Sequence, residues 1–274
     1  LHRAAGDRRA EGIALGNLAG ILQESGRIDE AESTGRRALA LHRKVSNRFF
    51  EGLALGNLGN LLLDVGREEE ARAHYDQALA IHRKGRNRFF EGLILGNLGN
   101  FFWKRRQAGE AEKKYVESLA IHREVGNRRS EGIVLGNLAL VWDESGRTEE
   151  AELAYAQALA LHHEVGNRRV AGVVLGNLAG LLLRAGRIGE AERAYAQALA
   201  IHREVGNPHF EGPHLCGFAL VRLARGEARA ARALWRKGAA LMRKLRELQE
   251  LDVRTAAMRE ACAKAGVAPF DGNR

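Results

Sequence analysis

The chain has 274 residues, of which 45% are hydrophobic and 28% charged, a composition that fits a soluble folded protein. Two cysteines, Cys216 and Cys262, are too few for a disulfide scaffold, lack metal-ligand spacing and suit a reducing, cytoplasmic compartment; no apolar run is long enough to cross a bilayer. A formal net charge of +9 favours acidic partners, but the Lys and Arg residues are interleaved with Glu along the sequence, which argues against nucleic acid.

Taken in order, residues 1–10 read as the end of a preceding repeat, because 1–7 matches 161–167. The chain is therefore expected to be a piece of a longer protein with at least one further repeat before it. From there nearly the same ten letters as EGIALGNLAG at 11–20 recur at 51–60, 91–100, 131–140 and 171–180, a period of 40. His2, His42, His82, His122, His162 and His202 keep the same step, so nothing is inserted or deleted between copies. Such a period marks a solenoid whose units bury their apolar faces against one another. The units lie near 11–50, 51–90, 91–130, 131–170, 171–210 and 211–240.

Each unit reads as two helices. In the second, apolar residues at three- and four-residue spacing predict a helix over 49–64, ended by Gly66, and a second over 68–84 with acids in its first turn and bases in its last. Gly52, Gly56 and Gly59 fall on one helical face and let a neighbour approach closely; Ala71, Tyr75 and Ala78 line the buried side of the second helix. The first unit has Gly35 where a tyrosine is expected, which predicts a thinner core there. The third replaces the usual glycine turn with Arg105, Arg106 and Gln107, and Gly109 comes later, so a redrawn turn is expected. After the last unit, with Trp235 at the tyrosine position, residues 241–265 read as a capping helical segment broken near Leu251, followed by a tail over 266–274.

The set Leu58, Gly59, Leu62, Gly66, Ala71, Tyr75 and Ala78, which recurs in its neighbours (Leu138, Ala139, Trp142, Gly146, Ala151, Tyr155 and Ala158, for example), resembles the tetratricopeptide repeat pattern. The likeness spans about 11–241. Its long unit is similar to those of polarity adaptors, kinesin light chains and bacterial multi-repeat signalling proteins. It implies an all-α fold, a right-handed alpha-alpha superhelical solenoid of helix pairs. It further implies a protein-interaction scaffold whose first helices line a concave groove and whose asparagines hold the backbone of an extended peptide. The matching residues are Asn17, Asn57, Asn97, Asn137 and Asn177, with Asn60 and Asn100 beside them. The same amides could instead form a ladder between adjacent helices that sets the stacking.

Trp103 and Lys104 add an aromatic anchor and a cation at the end of the third unit's first helix, unless Trp103 packs against the adjacent turn. Arg128 with Arg129, and Arg168 with Arg169, stand at helix entrances, where relatives meet carboxylates. Their alternative is a local ion pair with an acid three residues on. Ala171 replaces that acid in the fifth unit, which predicts a freer Arg168.

The histidine column reads as core, since members about 10 Å apart do not share one metal ion. The sequence holds no GxxxxGK, HExxH or GxSxG motif, so no enzyme, cofactor or metal is expected. The expected partner is a protein or peptide of acidic character. The alternatives are a structural or self-associating solenoid, in which an irregular third unit makes a homo-oligomer contact, and a regulatory repeat domain of a larger bacterial signalling enzyme that binds its own chain.

Overall fold

The computed structural model describes residues 7–271; His2, the other residues up to 6, and residues 272–274 of the expected tail lie outside it. The described residues form thirteen α-helices and no strand. They are α1 (Arg8–Glu24), α2 (Ile28–Lys44), α3 (Arg48–Asp64), α4 (Glu68–Lys84), α5 (Arg88–Lys104), α6 (Ala108–Glu124) and α7 (Arg128–Glu144), followed by α8 (Thr148–Glu164), α9 (Arg168–Arg184), α10 (Ile188–Glu204), α11 (Pro208–Ala224), α12 (Ala228–Lys244) and α13 (Leu248–Lys264). A finer rhythm than the 40-residue unit is present: a helix begins every 20 residues and runs for 17.

The connections explain this regularity. In the turn after α1, the N–H of Gly26 donates to the Gln23 carbonyl and that of Arg27 to the Leu22 carbonyl, while the Arg27 carbonyl already accepts from Ala31 in α2. One residue thus ends one helix and starts the next, and the residue before it must be left-handed. Gly26 and Gly66 take that conformation at φ 74° and 79°. Arg106 takes it too, at φ 58°, with Gln107 N–H on the Phe102 carbonyl at 2.9 Å. The third unit's turn is therefore not redrawn; Gly109 sits inside the first turn of α6. The C-terminal break likewise falls at residues 245–247, around Arg246 at φ 61°, and not near Leu251.

The helices divide into two compact units at Val141/Trp142, within α7. In the first, each helix packs on the next from α1 to α6 as antiparallel pairs, and the backbones of α1 and α3, and of α3 and α5, also approach within 8 Å. In the second, α8 to α12 pack in succession, and α11 approaches both α9 and α13. The odd-numbered helices thus lie side by side within each unit.

Glycines let this happen. A Cβ on Gly52 would lie 2.7 Å from the His82 imidazole, one on Gly56 2.7 Å from Ile94, and one on Gly59 2.6 Å from the Tyr75 ring. The predicted close approach is therefore a set of sockets, each filled by a named side chain. The end of the second unit is closed by α13, whose Leu251, Met258 and Cys262 are buried with Phe270 against Trp235, Ala239 and Met242.

Candidate functional site

Three polar columns run through the repeats, and they have different fates. The first is the acid near the start of the odd helices. Glu51, Glu91 and Glu131 are about 5% exposed, and each lies between two arginines. Arg43 and Arg48 hold Glu51 at 3.1 and 2.7 Å, Arg83 and Arg88 hold Glu91 at 3.0 and 2.7 Å, and Arg123 and Arg128 hold Glu131 at 3.0 and 3.1 Å. The acid's partner on the preceding helix is always eight residues upstream, a spacing visible in the sequence.

The arginine pairs are placed accordingly. Arg128 is engaged by Glu131. Arg168, expected to be freer for want of an acid at Ala171, forms a two-pronged bond to Glu204, Nε to Oε1 at 2.8 Å and a second prong at 2.5 Å. Arg88 makes the same bond to Glu124, so the longer-range acid remains when the local one is lost. The carboxyls of Glu124 and Glu204 are held below the usual carboxylate range by these guanidinium hydrogen bonds. Arg169 donates to the Val205 carbonyl at 3.4 Å, and Arg129 is exposed.

The second column joins asparagine to tyrosine. The Tyr75 hydroxyl donates to Asn60 Oδ1, and that of Tyr115 to Asn100 Oδ1, both at 2.7 Å. Asn137 Nδ2 donates to the same Asn100 oxygen at 3.1 Å, linking α7 to α5, and the Tyr115 hydroxyl is also within hydrogen-bonding reach of Asn137. Asn60, Asn100 and Asn137 therefore form part of the helix ladder. The signal was an asparagine fifteen residues before each of these tyrosines.

The third column stays open. Asn17 and Asn57 are exposed, and Asn97 and Asn177 half-buried, on the flanks of their odd helices. Among the described residues none of the four has a hydrogen-bond partner within the protein. At the C-terminal ends of the first unit's odd helices a polar chain follows: Gln23 Nε2 donates to Asp64 Oδ2 at 3.1 Å, and Lys104 Nζ reaches the Leu63 carbonyl at 3.3 Å with Asp64 at 3.9 Å. In the second unit Arg184 pairs with Asp143 in the same manner. Trp103 is half-buried beside Lys104.

The histidines lie in the core. His42, His82 and His122 fill the sockets opposite Gly12, Gly52 and Gly92, and His202 does so opposite Gly172; burial lowers the pKa of all four. In the second unit His202 and His214 share a buried hydrogen bond, Nε2 to Nδ1 at 2.9 Å, and burial pushes the His214 pKa down to about 3. Among the described residues no group of three or more His, Cys, Asp or Glu side chains is placed to hold a metal, and no helix is long and apolar enough to cross a membrane.

A family model described as tetratricopeptide repeat matches residues 11–84 and 91–162, and a second of the same description matches 173–209. No curated protein matches the chain. Among solved structures, BtubC (BKLC) from P. vanneervenii is similar over 80% of this chain and 92% of its own, at 18% identity and a TM-score of 0.69. A signal transduction ATPase with a tetratricopeptide repeat sensor from Pyrococcus horikoshii is similar over 97% of this chain and 41% of its own, at 16% identity and a TM-score of 0.71. A Rap protein complexed with competence and sporulation factor is similar over 93% of this chain and 76% of its own, at 14% identity and a TM-score of 0.68. At these identities the likeness is one of fold.

Proposed function

The chain belongs to the tetratricopeptide repeat family, and we propose that it is a binding scaffold that holds an extended, acidic segment of a partner protein along the side of its odd-numbered helices. The observation that carries this reading is the contrast between columns. The repeated acids and the tyrosine-linked asparagines are satisfied within the chain, whereas Asn17, Asn57, Asn97 and Asn177 present free amides at the same step. A primary amide offers both a donor and an acceptor, which matches a peptide group of an extended segment. Successive members stand on neighbouring odd helices within the first unit, so a bound strand could meet them in turn. Asn137, engaged by Asn100, would be a weaker rung.

The acidic character of the partner follows from the net charge of +9. Lys104 and Trp103 stand near the end of α5 as a cation and an aromatic anchor. Arg128, Arg168 and Arg169 are committed to intrachain acceptors, which leaves Arg129 as the arginine best able to meet a partner's carboxylate. The Rap complex, a protein of this fold solved with a factor bound, is consistent with such use.

A library of acidic peptides titrated against the wild-type chain and an Asn57→Ala, Asn97→Ala, Trp103→Ala variant tests the reading. Affinity is expected to fall at least tenfold in the variant, with its helical content unchanged. Equal affinity would remove the amide column from the site.

A further inference from the structure

In the second and third repeats, a tyrosine on the even helix fills the space between two odd helices, with its ring against Gly59 or Gly99 and its hydroxyl on Asn60 or Asn100. The first repeat lacks both partners of that arrangement: Gly35 stands at the tyrosine position and Gly20 at the asparagine position. The expected thinner core is here a cavity of about 370 Å³ between α1, α2 and α3, lined by Gly16, Ala19, Gly20, Gly35, Asn57 and Leu58. In the second repeat the corresponding Gly56 is a socket for Ile94, 2.7 Å from its added Cβ, whereas a Cβ on Gly16 or on Gly20 would meet nothing within 4 Å.

We infer that this cavity is a binding pocket for a neutral phenol ring, the side chain that the sibling repeats supply from within. Size and shape follow from the siblings, which bury a tyrosine at the same place. Polarity follows as well. Asn57 occupies the position that Asn137 holds beside the Tyr115 hydroxyl, yet Asn57 is exposed and its amide has no partner. The Asn60 amide nitrogen adds a donor, since only its oxygen is taken by Tyr75. Glu24 lies at the rim and disfavours an anion, which selects the neutral phenol over its phosphate ester. The inference extends the scaffold reading by naming one side chain of the bound segment. The same chemistry could also come from a free phenolic molecule.

The test uses p-cresol, the free tyrosine side chain. It is titrated into the wild-type chain, into Gly35→Tyr and into Gly20→Leu, with the thermal midpoint and amide NMR shifts as readouts. Saturating p-cresol is expected to raise the wild-type midpoint by roughly 2–4 °C, with shifts confined to α1, α2 and α3 and including the Asn57 side chain. Cresyl phosphate should bind at least tenfold more weakly. Gly35→Tyr should abolish the response; the Cβ it adds lies 3.0 Å from Leu58 Cδ2, the end of a flexible side chain. Should that variant not fold, Gly20→Leu fills the same space from an unobstructed Cβ and should also abolish the response.

No response of the wild type, or an undiminished response in Gly20→Leu, overturns the pocket. An acidic peptide with a tyrosine, compared with its alanine counterpart, identifies the source. Tenfold tighter binding of the tyrosine form, lost in Gly20→Leu, assigns the ring to a partner segment. Cresol binding without that preference assigns it to a free phenol. Peptide binding with no cresol response overturns the pocket and leaves the amide column standing, so the two readings fail separately.

Discussion

Ser46 does with a side chain what Gly26 and Gly66 do without one: it holds a left-handed backbone, at φ 53°, so that α2 can end and α3 begin within three residues. That conformation costs a non-glycine residue about 1–2 kcal/mol, part of which glycine gives back as unfolded-chain entropy. Ser46→Gly is therefore expected to stabilise the protein by about 0.5–1 kcal/mol, read as a higher urea midpoint. At Glu91 the balance runs the other way. Glu91→Gln removes the charge that both Arg83 and Arg88 contact across two helices, at a site about 6% exposed, and should cost about 1.5–3 kcal/mol. Glu204→Gln breaks a pair whose members are both half exposed and screened by solvent, and should cost clearly less than Glu91→Gln. Equilibrium denaturation of the two variants side by side checks the ranking.

At the scale of the helix, the same residue type has two meanings according to what faces it. Gly59→Ala would drive a methyl into the Tyr75 ring at 2.6 Å and should destabilise by about 1–3 kcal/mol. Gly16→Ala meets nothing within 4 Å and should stabilise by about 0.5–1 kcal/mol through helix propensity alone. Opposite signs in thermal melts are the expected outcome. Helix count, the 68–84 boundaries and the glycine-mediated approach were legible because period and amphipathicity carry them. Two kinds of feature were not. The turn at Arg106 escaped because a glycine signals the left-handed position and its absence hides it, although the hydrogen-bond pattern forces the same geometry on any residue. The fate of the polar columns escaped because a repeated asparagine looks alike whether a tyrosine hydroxyl caps it, as at Asn60, or nothing does, as at Asn57.

Across the molecule, buried imidazoles make stability depend on acidity. His42, His82, His122 and His202 are held neutral by desolvation, opposed in part by the nearby Glu51, Glu91, Glu131 and Glu211. Their folded-state pKa values lie below the unfolded value, so as pH falls the unfolded chain takes up protons first. Stability is thus full above a pH of about 6.5 and is lost below it, by up to about 1.4 kcal/mol per pH unit for each group that stays neutral. His214, lowered to about 3, extends that loss furthest into acid. Urea midpoints should be level from pH 7.5 to about 6.5 and fall between about 6.5 and 5, and a flat profile throughout would contradict the burial of the column.

The twenty-residue rhythm of helix and turn makes the chain editable in whole steps. Residues 47–53 and 87–93 both spell NRFFEGL, so excising 51–90 leaves a seam identical in sequence to the one removed. Glu91 would then sit eight residues after Arg43 and three after Arg48, inheriting the clamp that belonged to Glu51. The length of such a protein is a matter of copy number, and recombination between its own near-identical segments could change its reach while leaving each remaining joint intact.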